Sequence, residues 1–390
     1  MPLSLAETSY VLFQAVFAAY LVATIGFFFQ MAFTRVAAGD VAVTRSLGTK
    51  VGRVATGIAV VAAGAHLASL VTRGVAQGHV PWSNMYEYLS CLALGVVVVG
   101  LVVVQRRMGY GHLMGFVMAL AVVTMTFGQL LFAQASPLQP SLQSYWITIH
   151  TSSAMVASAV FSVAFVATAL YLTKATAERR VGADTGGSPG PPTPKPAGAA
   201  PAPPGGSGGD DGTPSDWVAG ELATEVAGAH PQAQRQALDP VWFTAVPLAI
   251  VGAFALWVSG SALTALTAGA VAAGLGLAGW YAVPMLPRSA KLDVLAYRLT
   301  VFAFPIWTLA VIAGAIWAQE AWGRYWGWDP KETGAFFTWV LYACYLHARS
   351  TRGWRGPKAA WVNVVAFAAL VVTFFAVNLI VVGLHSYAGV

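Results

Sequence analysis

Apolar residues run along this chain in blocks near 9–33, 51–72, 85–104, 112–133, 147–173, 297–318, 333–350 and 360–383. A helix that crosses the hydrocarbon layer of a bilayer needs about 20 such residues, and each block is of that order. The stretch 240–283 is apolar too, with Ser259, Gly260 and Ser261 near its middle dividing it into 240–258 and 262–283. The pattern predicts an all-α fold, a polytopic integral membrane bundle of about ten transmembrane helices: an eight-helix core plus an extra pair. Between residues 174 and 238 the pattern stops. The segment GADTGGSPGPPTPKPAGAAPAPPGGSGGDDGTPS, rich in Pro, Gly, Ala and Ser, cannot bury enough apolar surface to offset the entropy of ordering it. Three regions follow: helices one to five over 1–173, a disordered linker over 174–238, and helices six to ten over 239–390.

Composition sharpens this picture. Apolar residues make up 57% of the 390 and charged residues only 9%, against about 25% charged in soluble domains. The solvent for much of the chain is therefore lipid. The net charge of +6 raises nucleic acid as a partner, but membrane proteins collect Lys and Arg on their cytoplasmic side anyway. No basic stripe with interleaved aromatics is present, which excludes a nucleic-acid surface. Cys91 and Cys344 stand alone in apolar segments, so neither a thiol relay nor a structural zinc site is expected. Both read as small buried apolar side chains. The opening MPLSLAETSY lacks the basic start of a cleavable signal, so the first apolar run is expected to remain as a span.

Charge also sets an orientation. With the N-terminus outside, only Arg73, Arg324 and Lys331 of the 21 Lys and Arg fall on the outer side. Long loops count for little in this rule, and the preference survives discarding the linker's basic residues. A single crossing through 240–283 would turn the basic ends of the last three spans outward, so two crossings, or a re-entrant pair, are expected.

On this map His150 and His385 sit at the outer ends of the fifth and last spans. The outer loop 318–334, AQEAWGRYWGWDPKETG, holds Trp322, Trp326 and Trp328 with Arg324, Asp329, Lys331 and Glu332. Such a set suits a large flat apolar ligand that carries acids. Indoles offer stacking area with little rotamer entropy to lose, Arg and Lys meet carboxylates, and two histidines supply the axial nitrogens of a haem iron. Trp322 and Trp326 would share a helix face if the loop is helical there. Blander readings stand beside these: interfacial tryptophans anchor spans, a lone outer histidine is a hydrogen-bonded surface residue, and Asp329 and Glu332 cap the following helix. His347 lies about 21 Å below the outer surface at ~1.5 Å per residue, and an ionisable group there suggests function or an interfacial position. His66 lies in the outer half of the second span, at a depth too different from that of His347 for the two to share one iron, whose axial nitrogens lie about 4 Å apart. His79, His112 and His230 fall in loops and receive no role.

The run WGRYWGWDPKETGAFFTWVLYACYLHAR, the ending NLIVVGLHSYA and the segment HVPWSNMYEYL at 79–89 carry a resemblance. The chain resembles the CcsA/ResC family, the haem-handling subunits of System II cytochrome c synthases that bear a tryptophan-rich WWD motif. The resemblance covers most of the chain outside 174–283; the linker and the pair at 240–283 are additions to the family's core. It implies that His150 and His385 are the outer axial ligands. The loop residues Trp322, Gly323, Arg324, Tyr325, Trp326, Trp328, Asp329, Lys331 and Glu332 would hold the porphyrin. His347 would be the ligand of a membrane-embedded intake site. It further implies haem b as transported substrate, a separate ResB-type membrane subunit as partner, and apocytochrome c as acceptor. The activity expected is that of a cytochrome c haem lyase in a bacterial plasma membrane, working by positioning with no essential acid–base residue. A haem exporter without synthase activity shares every one of these features, whereas an electron-transfer cytochrome b would place its ligands at matched depth.

Overall fold

A computed structural model describes residues 3–36, 42–184, 231–351, 354, 356–379, 381, 383 and 384. Its order is α1 (Leu5–Ala32), β1 (Thr34–Val36), β2 (Ala42–Thr44), α2 (Ser46–Gln77), α3 (Met85–Val99), α4 (Met114–Leu130) and α5 (Tyr145–Asp184). There follow α6 (Pro231–Gln236), α7 (Pro240–Ser259), α8 (Ala262–Ala282), α9 (Ser289–Trp322), α10 (Pro330–Ser350) and α11 (Pro357–Leu379). Nine of the described helices are long and apolar enough to cross a membrane. The remaining expected span, 333–350, lies within α10, whose 21 residues fall below that apolarity because Lys331, Glu332, His347 and Arg349 ride on the helix. The protein is an all-α multi-pass membrane protein. The short antiparallel pair β1–β2 was not expected; Thr34 and Thr44 face each other across it with hydroxyls 2.8 Å apart.

Both ends of the stretch expected as a linker over 174–238 are helical. Helix α5 continues to Asp184, and α6 forms before Leu238. Lys174 explains both edges: its ammonium is buried, donating to Gln234 Oε1 at 2.7 Å and to the Val283 carbonyl at 3.1 Å. One turn later Glu178 accepts from the Ser289 hydroxyl at 2.6 Å, fastening α5 to the start of α9. The rest of the expected linker, 185–230, lies outside the described residues.

The stretch 240–283 forms two helices, turned at Gly260 in the left-handed region (φ 62°). They approach so closely that a Cβ on Gly276 would collide with the Phe243 carbonyl oxygen. Backbone contact of this kind between small residues is how helices associate where lipid removes the hydrophobic drive. Phe254 then seats α7 on the bundle, edge-on to Phe127 and Phe375 with centroids 5.1 and 5.4 Å away.

The centre is packed against α5, which runs along α9 and also meets α3 and α11. Phe161 of α5 and Tyr342 of α10 stack at 3.7 Å with a 7° interplanar angle, and Trp307 of α9 meets Phe161 edge-on. At the far end of α2, Arg73 Nε lies 2.9 Å from Glu87 Oε1, both side chains buried. Arg73 also donates to the Ala133 carbonyl at 2.7 Å, and Glu87 Oε2 accepts from the Ser83 backbone at 2.9 Å. This pair joins α2, α3 and the segment leading towards α5.

Candidate functional site

Helix α9 stops where a residue without Cβ can stop it. Gly323 adopts the left-handed conformation (φ 70°) and its N–H returns to the Gln319 carbonyl, the usual glycine closure of a helix C-terminus. Trp328 is left-handed as well (φ 58°), the one such non-glycine among the described residues. A side chain in that region costs roughly 1–2 kcal/mol, so the segment between is held by other bonds. Glu332, in the first turn of α10, supplies them. Its Oε2 accepts from the backbone of Gly327 at 2.8 Å and of Asp329 at 3.1 Å, and its Oε1 from Arg324 Nη1 at 3.2 Å. Glu332 thus caps α10 and gathers the loop onto it. Asp329, at the N-cap, accepts the Leu384 N–H at 3.0 Å through Oδ1.

The segment between α9 and α10 is not helical, so the condition for Trp322 and Trp326 to share a helix face is not met. Gly323 ends α9 between them. Trp322 packs edge-on against Trp317 at 4.8 Å, under the Arg324 guanidinium at 5.8 Å. Trp326 instead meets Trp328 at 5.8 Å and Phe336 at 6.2 Å, both edge-on.

His150 enters from α5. Ser144 accepts the Trp146 N–H at 3.1 Å and donates to Glu320 Oε2 at 2.5 Å, so the start of α5 is tied to the last turn of α9. One and a half turns on, His150 Nδ1 lies 2.7 Å from the Ala310 carbonyl oxygen. A carbonyl can only accept; Nδ1 therefore carries the proton and Nε2 keeps its lone pair. Trp317 lies nearly parallel to the imidazole, 14° and 6.4 Å between centroids. Sequence reasoning missed the residue that permits this, Gly314: a Cβ there would sit 2.6 Å from Nδ1.

His150, Tyr325, Trp326, Lys331 and Glu332 line one cavity of about 60 Å³, walled behind by Trp307 and Trp317. That is room for a few waters at about 10–15 Å³ each. Burial pushes the Lys331 ammonium down to about 8, with the Asp329 carboxylate opposing. Of the expected loop residues, Trp328 is exposed beside the cavity, and Gly323, Arg324 and Asp329 shape the loop around it. His385 lies outside the described residues.

His347 belongs to a different place. It is exposed on α10 and opens into a groove of about 580 Å³ with Trp339, Val340, Cys344 and Trp354. Cys344, expected to be buried, is exposed there, and Cys91 is half-buried. His66 is a satisfied core histidine, with Nε2 2.9 Å from the Ser90 hydroxyl and Nδ1 3.3 Å from Tyr20. His112, placed in a loop by sequence, is buried in a short 3₁₀ turn before α4.

A family model described as cytochrome C assembly protein matches residues 82–385, which include the tryptophan-rich loop and both α5 and α10. The chain is similar to the cytochrome c biogenesis protein CcsA of Gloeothece citriformis, 33% identical over 82% of this chain and 83% of the relative. It is 31% identical to CcsA of Synechocystis sp. over 82% of this chain and 83% of the relative. With CcsA of Gloeobacter violaceus the identity is 31% over 96% of this chain and 94% of the relative. These matches, with the multi-pass helical fold, place the chain in the cytochrome c assembly protein family, and its role in cytochrome c biogenesis.

Proposed function

We propose that this protein carries haem b across the bacterial plasma membrane and presents it at the outer side for attachment to apocytochrome c. The observation that carries this reading is the His150 ring, turned by Ala310 so that Nε2 is the metal-binding nitrogen, in the same cavity as Trp326 and Lys331. His385 would supply the opposite axial nitrogen. Asp329 holds the N–H of Leu384, the residue before His385 in sequence. Lys331 would face a haem carboxylate. The cavity must widen to admit a macrocycle, and Tyr325 and Trp326, on irregular backbone, are the wall that moves.

Haem held there would expose its vinyl groups to a reduced C-x-x-C-H segment. Each thiol adds across a vinyl group, sulfur bonding to one carbon and hydrogen to the other. The acceptor's own histidine then takes an axial position and releases the product. The protein contributes orientation, worth several kcal/mol when reactants are pre-placed, and the reactivity belongs to haem and thiol. A ResB-type membrane subunit would complete the synthase. His347, in its groove, would be the intake ligand.

The test is the optical and pyridine-haemochrome spectrum of the purified protein beside His150→Ala and His385→Ala. Loss of a low-spin bis-histidine signal in either variant, restored by imidazole, supports the site. Full haem retention in both variants overturns it.

A further inference from the structure

We propose that His79 positions the haem cavity from behind: as a cation it clasps the loop 131–144 onto the wall of that cavity, and on losing its proton it lets the loop go. The link to haem rests on the His150 cavity being the haem site; the clasp rests on hydrogen-bond chemistry alone.

Helix α2 ends at Gly78, which is left-handed (φ 75°), and the N–H groups of Gly78 and His79 both return to the Gly74 carbonyl. This closure pins the His79 backbone. The half-buried ring lies between two carbonyl oxygens, with Nδ1 3.0 Å from that of Val80 and Nε2 3.0 Å from that of Ser136, 57 residues on. A carbonyl only accepts, and neutral imidazole has one N–H where imidazolium has two, so both bonds exist only in the cation. His66 shows the contrast: it sits between the Tyr20 and Ser90 hydroxyls, which donate or accept, and is satisfied neutral. Of its two bonds, neutral His79 keeps the local one to Val80, which asks no ordering of a distant segment. The Nε2 lone pair then faces the Ser136 oxygen, and lone pair against lone pair repels.

Loop 131–144 runs from α4 to α5 and carries no Asp, Glu, Lys, Arg or His. Arg73 anchors it at the Ala133 carbonyl, 2.7 Å away, but Arg73 is buried and paired with Glu87, so this anchor keeps its charge. Among the described residues, the charged groups that α2 and α3 bring to this end are that same pair. Tyr86, Tyr88, Cys91 and Tyr145 complete the titratable set there, and phenols and thiols stay neutral where imidazoles titrate. His79 is therefore the hold on the loop that answers to pH. Two residues beyond Ser136, Leu138 joins Leu142, Trp317 and Trp322 in one apolar cluster. Trp317 walls the cavity and lies nearly parallel to the His150 ring. The clasp at Ser136 thus holds down the cover of Trp317. Neither His79 nor Ser136 lines the cavity, so the clasp sets how fast haem enters and leaves, and not how tightly haem is held.

The test is limited proteolysis of the full-length protein with chymotrypsin, for which the loop offers Leu131, Phe132, Leu138 and Leu142. His79→Phe has a ring without donors, and His79→Gln donates without charge at every pH. Cleavage rates within the loop are divided by those of His79→Phe at the same pH, which cancels the pH response of the protease. Wild type is expected to be cut about fivefold more slowly than His79→Phe at about pH 6, the weight of one such bond, and at nearly the same rate at about pH 8. His79→Gln should keep one ratio at both, and it serves as the reference should His79→Phe fail to fold. A wild-type ratio that does not change with pH overturns the clasp. Haem release to a haem-free globin should accelerate about fivefold over the same pH step in wild type, and not in His79→Phe. If cleavage follows pH and release does not, the coupling to haem is overturned and the clasp stands. Full haem retention in His150→Ala overturns the cavity reading instead, and cleavage alone then decides the clasp.

Discussion

The imidazole of His150 is oriented by the backbone of another helix: its Nδ1 donates to the Ala310 carbonyl 2.7 Å away. Hydrogen bonding of one ring nitrogen to a carbonyl is how proteins fix the tautomer and aim of a metal-binding histidine. Here the bond needs α5 and α9 to touch, and Gly314 is where they touch.

Gly314→Ala therefore tests the site without altering a ligand. Its Cβ would press on Nδ1 and Cε1 at 2.6 and 2.8 Å, so the ring must leave its bond to Ala310. Overpacking of this kind costs about 1–3 kcal/mol. Haem content is expected to fall towards that of His150→Ala, measured by pyridine haemochrome, while the protein still elutes as a folded species.

Glu332→Ala removes the acceptor of the Gly327 and Asp329 N–H groups and the partner of Arg324. Loss of a capping interaction costs about 1 kcal/mol. Limited proteolysis within 323–328 should accelerate several-fold. Glu332→Gln keeps an acceptor for the backbone and should fall between the two.

Lys331 predicts a pH dependence of haem binding. Its folded-state value, about 8, lies below the usual lysine range because burial disfavours the charge. A haem carboxylate would favour the ammonium form, so binding raises that value. By linkage, affinity is flat below about pH 8 and weakens above it, by up to tenfold per pH unit. Haem titrations across pH 7–10 should show the slope in wild type and lose it in Lys331→Gln. Stability of the haem-free protein runs the opposite way, rising with pH between about 8 and the unfolded lysine value, since the unfolded chain holds the proton more tightly.

Glu87→Ala should be among the most damaging substitutions remote from the cavity. It strands Arg73, whose side chain is only 4% exposed. Breaking one side of a buried pair costs about 3–5 kcal/mol. Thermal unfolding in detergent should show a large fall, and the double substitution Arg73→Met, Glu87→Leu should recover much of it.

The spans were legible because lipid imposes a length and an apolarity on any helix that crosses it, and these survive without tertiary knowledge. What depended on contacts between distant segments was not legible. Nothing in the sequence around Gly314 announces that an imidazole 164 positions earlier will lie against it. The extension of α5 to Asp184 was hidden by its charges, which find partners in Gln234 and Ser289 only once the chain returns. That Trp322 and Trp326 do not share a helix face was readable in principle: Gly323 directly after an apolar helix is a stop signal. Glu332 was readable as a cap; that it also draws in Arg324 and Gly327 was not.

The bond from Leu384 to Asp329 has a consequence for how the loop settles. Its donor lies 55 positions after its acceptor, with α10 and α11 between them, so both helices must pack before the two can meet. Until they do, the acid that opens α10 goes without that N–H. A fault in how α11 packs is therefore felt in the tryptophan-rich loop, whose cap it completes.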